Sequence, residues 1–253
     1  MKKSFMTNLV LLLFACFGWV GPAQSSLSTL PAQKQDDALK VLQKTSETYR
    51  NMTSSYFEGT LVLEFSSKQG DLKIDMPLVI AEVKPNKVKY ELKDPKYGGT
   101  RVSDGKTLWV YQSRSKQYTK QPVDTVKAAS SFKGSAEYEH ISERVKSAKI
   151  LRDESLTVNG ENVNCYVIEL VTEPLKPNPD IVSAPRLLWI DKINNIILKD
   201  VSRAKLNATK GEEGQVNNTI IKTLSSAKVN QPIPDSMFVF IPPEGAVEVE
   251  KTK

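Results

Sequence analysis

The stretch that decides the fold of this chain is Asp104-Gly105-Lys106-Thr107-Leu108-Trp109-Val110-Tyr111. An Asp-Gly pair is typical of the tight turn in a β-hairpin, because glycine readily adopts the positive φ angles that such a turn needs. The bulky apolar residues that follow it favour a strand. Leu108 and Val110 then lie on one face of that strand, with Trp109 and Tyr111 on the other. The sequence alone leaves open which of the two faces is turned inward.

Strand patterns continue on both sides of this hairpin. Between residues 57 and 65, apolar residues alternate with Glu58, Thr60 and Glu64, and the alternation recurs over residues 72–80 and 88–92. One-sided strands joined by short turns are typical of an antiparallel sheet with one apolar face. Later strands are expected over residues 149–157, 163–171, 187–191, 196–203 and 218–229, with turns at Asn159-Gly160 and Asn194-Asn195.

Helices are expected before and within this sheet. An apolar stripe with helical spacing predicts a helix over residues 33–49. Two shorter helices are expected over residues 126–132 and 138–145, the second from the spacing of Tyr138 and Ile141. A long sheet with one apolar face has to cover that face, which it can do by curling and by placing helices across the opening. The sequence thus predicts an α+β protein built on a large antiparallel sheet.

The N-terminus has the pattern of a secretory signal peptide. Lys2 and Lys3 precede an apolar stretch over residues 9–20, which is too short and too interrupted for a comfortable membrane span. Small residues that suit a signal peptidase follow it. We therefore expect residues 1–25 to be a signal peptide and residues 26–253 to form a single exported domain with no stable membrane span after cleavage.

Two cysteines bear on the location and stability of the mature chain. Leu13-Phe14-Ala15-Cys16 is similar to a bacterial lipobox, in which the cysteine is lipidated and becomes the new N-terminus. Phe14 is bulky for its position and the apolar run continues past Cys16, so simple secretion is favoured over an outer-membrane lipid anchor. In both cases Cys165 is the single cysteine after Cys16, and its apolar neighbours predict a small buried hydrophobe.

The composition and motifs favour binding over chemistry. The net charge of +6 is spread along the chain rather than clustered with aromatic residues, which gives nucleic-acid binding little support. The single histidine, His140, lies in a polar stretch and is expected at the surface. We find neither a G-x-S-x-G motif nor a phosphate-binding loop. The sequence predicts a protein that is not an enzyme and that has no cofactor or metal.

Three segments taken together resemble one known family. They are Val83-Lys84-Pro85-Asn86-Lys87-Val88-Lys89-Tyr90, the hairpin at Val102–Tyr111, and Phe238-Val239-Phe240-Ile241-Pro242-Pro243-Glu244-Gly245-Ala246. Their order and spacing are similar to those of the LolA-like periplasmic lipoprotein carriers and the related outer-membrane lipoprotein-sorting proteins. The resemblance implies an open half-barrel, with helices forming a lid over an apolar cavity.

The function implied by the resemblance is carriage of acyl chains through the periplasm toward the outer membrane. Burying each methylene contributes about 0.8 kcal/mol, so a dry cavity can hold an acylated lipoprotein or lipid tightly. An inner-membrane donor and an outer-membrane acceptor are the partners that such a carrier implies. The residues expected to line the cavity, called the cavity set below, are Leu61, Leu63, Leu78, Ile80, Tyr90, Leu108, Val110, Ile168 and Leu188.

Two departures from the family pattern leave alternatives open. The family's carriers are thought to latch the lid with a buried arginine at the position of Lys84, and a lysine lacks the planar fork of an arginine. The chain is also longer than the compact carriers around residues 172–186. A lipid-anchored acceptor or lipid-binding module, if Cys16 is acylated, is therefore one alternative. A periplasmic sensor that uses the same fold to bind a protein is another.

Overall fold

The computed structural model describes residues 32–68, 70–123, 134–173, 181–207 and 215–250. The expected signal peptide (residues 1–25), Cys16 and the first mid-chain helix (residues 126–132) lie outside these ranges, so they stay predictions. One α-helix, α1, spans Ala32–Asn51 in the described part of the chain. The strands are β1 (Ser54–Ser67), β2 (Gly70–Val83), β3 (Lys87–Leu92), β4 (Gly99–Asp104), β5 (Thr107–Gln112), β6 (Gln117–Pro122), β7 (Val145–Val158), β8 (Glu161–Thr172), β9 (Ile181–Ser183), β10 (Arg186–Asp191), β11 (Ile197–Asn207), β12 (Gln215–Val229) and β13 (Val247–Glu248).

All of these strands belong to one sheet. Its order is β13-β6-β5-β4-β3-β2-β1-β12-β11-β10-β8-β7, with β9 beside β11. Every pairing is antiparallel except that of β13 with β6. In the described residues β7 and β13 stand at opposite ends without pairing to each other, so the sheet is not closed. The predicted α+β fold with a large open antiparallel sheet is confirmed.

The sheet is strongly curved on the side of β7. The turn between β7 and β8 contacts β12, which is four places away in the strand order. The backbone N–H of Asn159 donates to the carbonyl of Ser225 at 2.9 Å, and its side-chain amide donates to the carbonyl of Ala227 at 3.0 Å. Strand β11 pairs with β12 only as far as Thr223. Asn159 therefore covers the edge of β12 beyond the end of β11 and holds the curl in place.

The predicted turns form for the expected reasons. Gly105 has a φ of +97°, and the Asp104 carboxylate accepts the backbone N–H groups of Lys106 at 2.8 Å and Thr107 at 2.7 Å. Asn159 and Gly160 both have positive φ angles, +54° and +81°, as a two-residue hairpin turn requires. These local signals were therefore reliable.

The helix covers one face of the curved sheet. Ala38, Leu42 and Tyr49 are fully buried on the side of α1 that packs against β7 and the core. The Tyr49 hydroxyl accepts the backbone N–H of Ile197 at 3.2 Å, and burial raises the pKa of Tyr49 well above its usual value. The helix is thus joined to the sheet by an apolar stripe and by a buried hydrogen bond at its C-terminal end.

The prediction of a second mid-chain helix over residues 138–145 is wrong. The structure has a 3-10 helix at Ser135–Glu137, turns as far as Arg144, and the start of β7 at Val145. Tyr138 and Ile141 are buried, as their spacing suggested. However, the consecutive residues Glu137 and Tyr138 both bond to the sheet, and Glu139 bonds to Lys84 in the turn after β2. In a helix these three side chains would point in different directions.

Two single residues lie where the sequence suggested. Cys165 is free and fully buried, and burial raises the pKa of its thiol to about 12. His140 is exposed, with its Nδ1 2.7 Å from a carboxylate oxygen of Glu143.

Candidate ligand-binding site

The strand register places the whole cavity set on one face of the sheet, called the inner face below. Leu61 pairs with Lys222, and the same row continues through Asp200 and Leu188 to Ile168. A second row runs from Ile80 through Tyr90 and Arg101 to Val110. The remaining members are Leu63, Leu78 and Leu108. Each lies two residues from another member on its own strand, and residues with that spacing share a face.

Members of the cavity set differ in burial along this face. Leu63, Leu78, Ile80, Ile168 and Leu188 are buried in the main core. Leu61 and Tyr90 are half-buried against that core. Leu108 forms a second, smaller cluster, with Val110 and Tyr90 among its half-buried neighbours. The inner face is therefore filled in the middle of the sheet and partly open over β3–β6.

The outer face of β3–β6 is covered by the C-terminal segment, residues 234–250. Phe240 stacks on Trp109 with ring centroids 6.1 Å apart, and it contacts Tyr118 at 5.2 Å. Phe238 is buried in a 3-10 helix, Asp235–Phe238, that packs on β3 and β4. Trp109 therefore faces outward. The hairpin and the C-terminal motif noted in the sequence are in contact.

Residues 134–144, called the capping segment below, lie across the inner face. At the start of this segment the Glu82 carboxylate accepts the backbone N–H of Ser135 at 3.0 Å and also the Ser135 hydroxyl. A Cβ atom at Gly134 would lie 1.8 Å from Oε1 of Glu82. Any larger residue at this position would therefore have to displace the Glu82 carboxylate from Ser135. Further along, Ser46 of α1 donates to the hydroxyl of Ser142 at 2.9 Å.

Lys84 joins the capping segment to the helix. Its Nζ donates to the carbonyls of Tyr49 at 3.1 Å and Arg50 at 2.8 Å, in the last turn of α1. The same nitrogen lies 2.8 Å from a carboxylate oxygen of Glu139. A cation is favourable at a helix C-terminus, where unpaired carbonyls carry partial negative charge. The lysine thus bonds two carbonyls and one carboxylate, although it lacks the fork of an arginine.

A second polar group lies further along the inner face. Nε of Arg186 donates to Oδ1 of Asp200 at 2.7 Å, and its Nη2 bonds both Oδ2 of Asp200 and, at 2.5 Å, Oε1 of Glu137. The Tyr138 hydroxyl donates to Oδ2 of Asp200 at 2.8 Å. Burial alone raises the pKa of a carboxyl group, but the Arg186 guanidinium outweighs burial and lowers the pKa of Asp200.

Tyr138 sits above two cations and a small cavity. Its ring centroid is 4.5 Å from Nζ of Lys222, 5.5 Å from Cζ of Arg186 and 5.0 Å from the ring centroid of Tyr49. A cavity of about 10 Å³ beside it has room for about one water molecule. The lining residues are Tyr49, Phe57, Ile80, Gly134, Ser135, Tyr138, Ile197, Lys222 and Leu224.

Sequence reasoning singled out Lys84 but missed Arg186, Asp200 and Lys222. These residues lie on three different strands and belong to no recognisable local motif. The available signal was a charged side chain at an inward position of a strand, which is rare unless the charge has a partner.

The described residues contain no group of three or more His, Cys, Asp and Glu side chains that could hold a metal ion. No helix in the described ranges has the length and apolar character needed to cross a membrane.

No protein-family model matches the sequence, and neither does any curated protein. Solved structures do match. The chain is similar to a LolA superfamily protein from Nitrosomonas europaea, at 15% identity over 80% of this chain and 97% of that chain, with a TM-score of 0.33. An uncharacterized conserved protein from Thermus thermophilus matches at 13% identity over 85% of this chain and 99% of that chain, with a TM-score of 0.43.

A third match is a chain of the Pseudomonas aeruginosa MucA/MucB complex, at 13% identity over 81% of this chain and 61% of that chain, with a TM-score of 0.34. At such identities the similarity concerns the fold. One of these structures is thus a LolA superfamily protein, the kind of protein that the three sequence segments resemble.

Proposed function

We propose that this chain is a periplasmic carrier that shelters the acyl chains of a lipoprotein or lipid on the inner face of its sheet during transfer toward the outer membrane. The observation that carries the proposal is an apolar inner face on an unclosed sheet, covered by a segment whose polar contacts to β2, β10, β11 and α1 flank two buried side chains, Tyr138 and Ile141. An inner-membrane donor and an outer-membrane acceptor are the partners this role requires.

The polar contacts suit a cover that has to move. Lys84 and Glu139 are 38% and 21% exposed, so water can replace their mutual contact at small cost when the capping segment moves away. An apolar face uncovered in this way is unfavourable in water, and acyl chains would cover it again. In this role Lys84 is the latch that holds the capping segment to α1.

The cavity set serves this function unequally. We propose that half-buried Leu61, Tyr90 and Val110, with Leu108 beside them, contact an acyl chain first. The buried members, Leu63, Leu78, Ile80, Ile168 and Leu188, would form the floor of a larger cavity once the capping segment has moved.

Fluorescence binding of palmitate carrying an anthroyloxy group tests the proposal. Val110→Glu places a charge on the inner face, where an unpaired charge is costly, and is expected to abolish binding. Tyr111→Glu is the matched control, because it places the same charge on the outer face of the same strand and should leave binding unchanged. If the unmodified protein binds no acyl probe, or if the two variants bind alike, the carrier proposal is wrong.

Mass spectrometry of the N-terminus tests the location. A mature chain that begins near residue 26 is expected for a free periplasmic carrier. A chain that begins at an acylated Cys16 would instead support a lipid-anchored acceptor or lipid-binding module. In both cases, mass spectrometry of material from the native envelope should detect acylated molecules that copurify.

A further inference from the structure

In addition to Arg101, two neighbouring cations lie together on the inner face, where a carrier of neutral acyl chains would need none. Arg186 projects from β10 two residues before Leu188, and Lys222 stands in register between Leu61 and Asp200. Both side chains are half-buried, and a charge that is largely withdrawn from water is costly unless it is paired. Each of these two side chains therefore needs an anionic or hydrogen-bonding partner, whether the inner face is covered or open.

These cations have two carboxylate partners, one on the sheet and one on the capping segment. Asp200 lies on β11, next to both cations, and stays there whatever the capping segment does. Glu137 belongs to the capping segment, and its carboxylate reaches Nη2 of Arg186 at 2.5 Å. With Glu137 in place, the two positive and two negative formal charges cancel. Without it, one positive charge is in excess.

The capping segment also shields the cations with an aromatic ring. Tyr138 lies over Lys222 and Arg186 at cation–π distances of 4.5 and 5.5 Å. Any movement that removes Glu137 also removes Tyr138, because the two residues are adjacent. The open inner face then presents an excess positive charge beside apolar Phe57 and Leu224, which line the small cavity at Lys222.

We propose that Arg186 and Lys222 form a subsite for the anionic headgroup of an acyl ligand, and that the Glu137 carboxylate occupies this subsite when the capping segment is closed. The inference rests on the proposed carrier function and names its ligand class: an amphiphile whose acyl chain covers the inner face and whose carboxylate or phosphate replaces Glu137. A guanidinium suits both groups, because it donates two parallel hydrogen bonds to either one.

Competition against the uncharged probe N-phenyl-naphthylamine tests this subsite with two matched ligand pairs. Palmitate is compared with methyl palmitate, and dipalmitoylphosphatidylglycerol with dipalmitoylglycerol. In at least one pair the anionic member is expected to bind about tenfold more tightly, as a charge-assisted hydrogen bond to a buried cation implies. The pair that shows the preference identifies the source of the anion, a carboxylate or a phosphate.

Lys222→Met tests the cation without removing the Arg186–Asp200 pair, and it should reduce the preference to less than about threefold. Glu137→Gln removes the competing carboxylate and should increase the preference. Glu139→Gln is the matched control: it makes the same change in the same segment but at Lys84, so it should shift both members of a pair alike.

The outcomes separate this inference from the function on which it rests. Tight binding of anionic and neutral members without any preference would overturn the headgroup subsite and leave the carrier intact. A preference that survives Lys222→Met, or that changes equally in Glu137→Gln and Glu139→Gln, would also overturn the subsite. Failure of all four ligands to displace the probe would overturn both proposals.

Discussion

The two halves of the sheet are covered on opposite faces. In the core half, made of β1, β2 and β7–β12, the helix and the capping segment cover the inner face. In the hairpin half, made of β3–β6, the C-terminal segment covers the outer face through Phe238 and Phe240. The inner face of the hairpin half carries the small cluster around Leu108, with half-buried neighbours.

This difference shows that one apolar pattern can have two uses. In the core half most members of the cavity set are buried in the main core, and Leu61 is half-buried against it. In the hairpin half Tyr90 and Val110 are half-buried beside the buried Leu108. Substitutions in the core half should therefore change mainly the free energy of unfolding, and substitutions in the hairpin half mainly the binding of a ligand.

The largest expected effect is that of Leu188→Ala in the core half. Leu188 has 0% of its surface exposed, and such a truncation typically lowers the free energy of unfolding by about 2–5 kcal/mol. Val110→Ala in the hairpin half should cost less than about 1.5 kcal/mol, since that side chain is half-buried. Urea unfolding of both variants measures the difference. Equal losses would contradict the division into two halves.

Gly134→Ala is expected to displace the capping segment. The new Cβ would collide with the Glu82 carboxylate, at a cost of about 1–3 kcal/mol for an overpacked site. Hydrogen exchange should become faster over residues 134–144 and stay unchanged in β4 and β5. Glu82→Ala removes the collision, so adding Gly134→Ala to it should cost little more. Full additivity of the two changes would show that the contact is not the cause.

Phe240→Ala tests the cover of the outer face. The variant loses the ring contacts to Trp109 and Tyr118, which should lower stability by about 0.5–1.5 kcal/mol. Tryptophan fluorescence should shift to the red as Trp109 becomes more exposed. Binding of the acyl probe should be unchanged, because the contact lies on the face opposite Val110. A loss of probe binding without unfolding would mean that the two faces are coupled.

The smallest expected effect on stability is that of Lys84→Ala. The side chain is 38% exposed, so the change should cost less than about 1 kcal/mol. Hydrogen exchange near Glu139 and at the end of α1 should nevertheless become faster, because one nitrogen joins both. Lys87→Ala is the control, since that lysine bonds Asp235 of the C-terminal segment instead. If Lys84→Ala leaves exchange unchanged, Lys84 is not a latch.

Local signals in the sequence predicted most strands, and long-range contacts account for the errors. Alternating apolar residues and Asn-Gly or Asp-Gly pairs depend on neighbouring positions only, so they were reliable. Strand β6, Gln117–Pro122, was missed because polar residues dominate it, and it pairs with β5 all the same. The mid-chain helix was wrong because distant partners hold consecutive side chains to the sheet.

The candidate site was only partly predictable for the same reason. The cavity set was named from alternation, and the pairing register places its members on one face, while their contact with a ligand stays a prediction. The ion group of Arg186, Asp200 and Glu137 joins residues as far as 63 positions apart in the chain. No spacing rule relates these residues, so pairing among them became visible only in the folded chain.

The turn at Asn159 determines where the inner face can widen. Its hydrogen bonds to Ser225 and Ala227 join the end of β7 to β12. These bonds hold the two strands at a fixed distance across β8, β10 and β11. A bulky ligand cannot spread this side without breaking those bonds. We therefore expect expansion toward β3–β6, where the sheet ends at β13, a strand of only two residues. A single hairpin turn thus fixes the side of the half-barrel between β7 and β12, and we expect the side made of β3–β6 to move more easily.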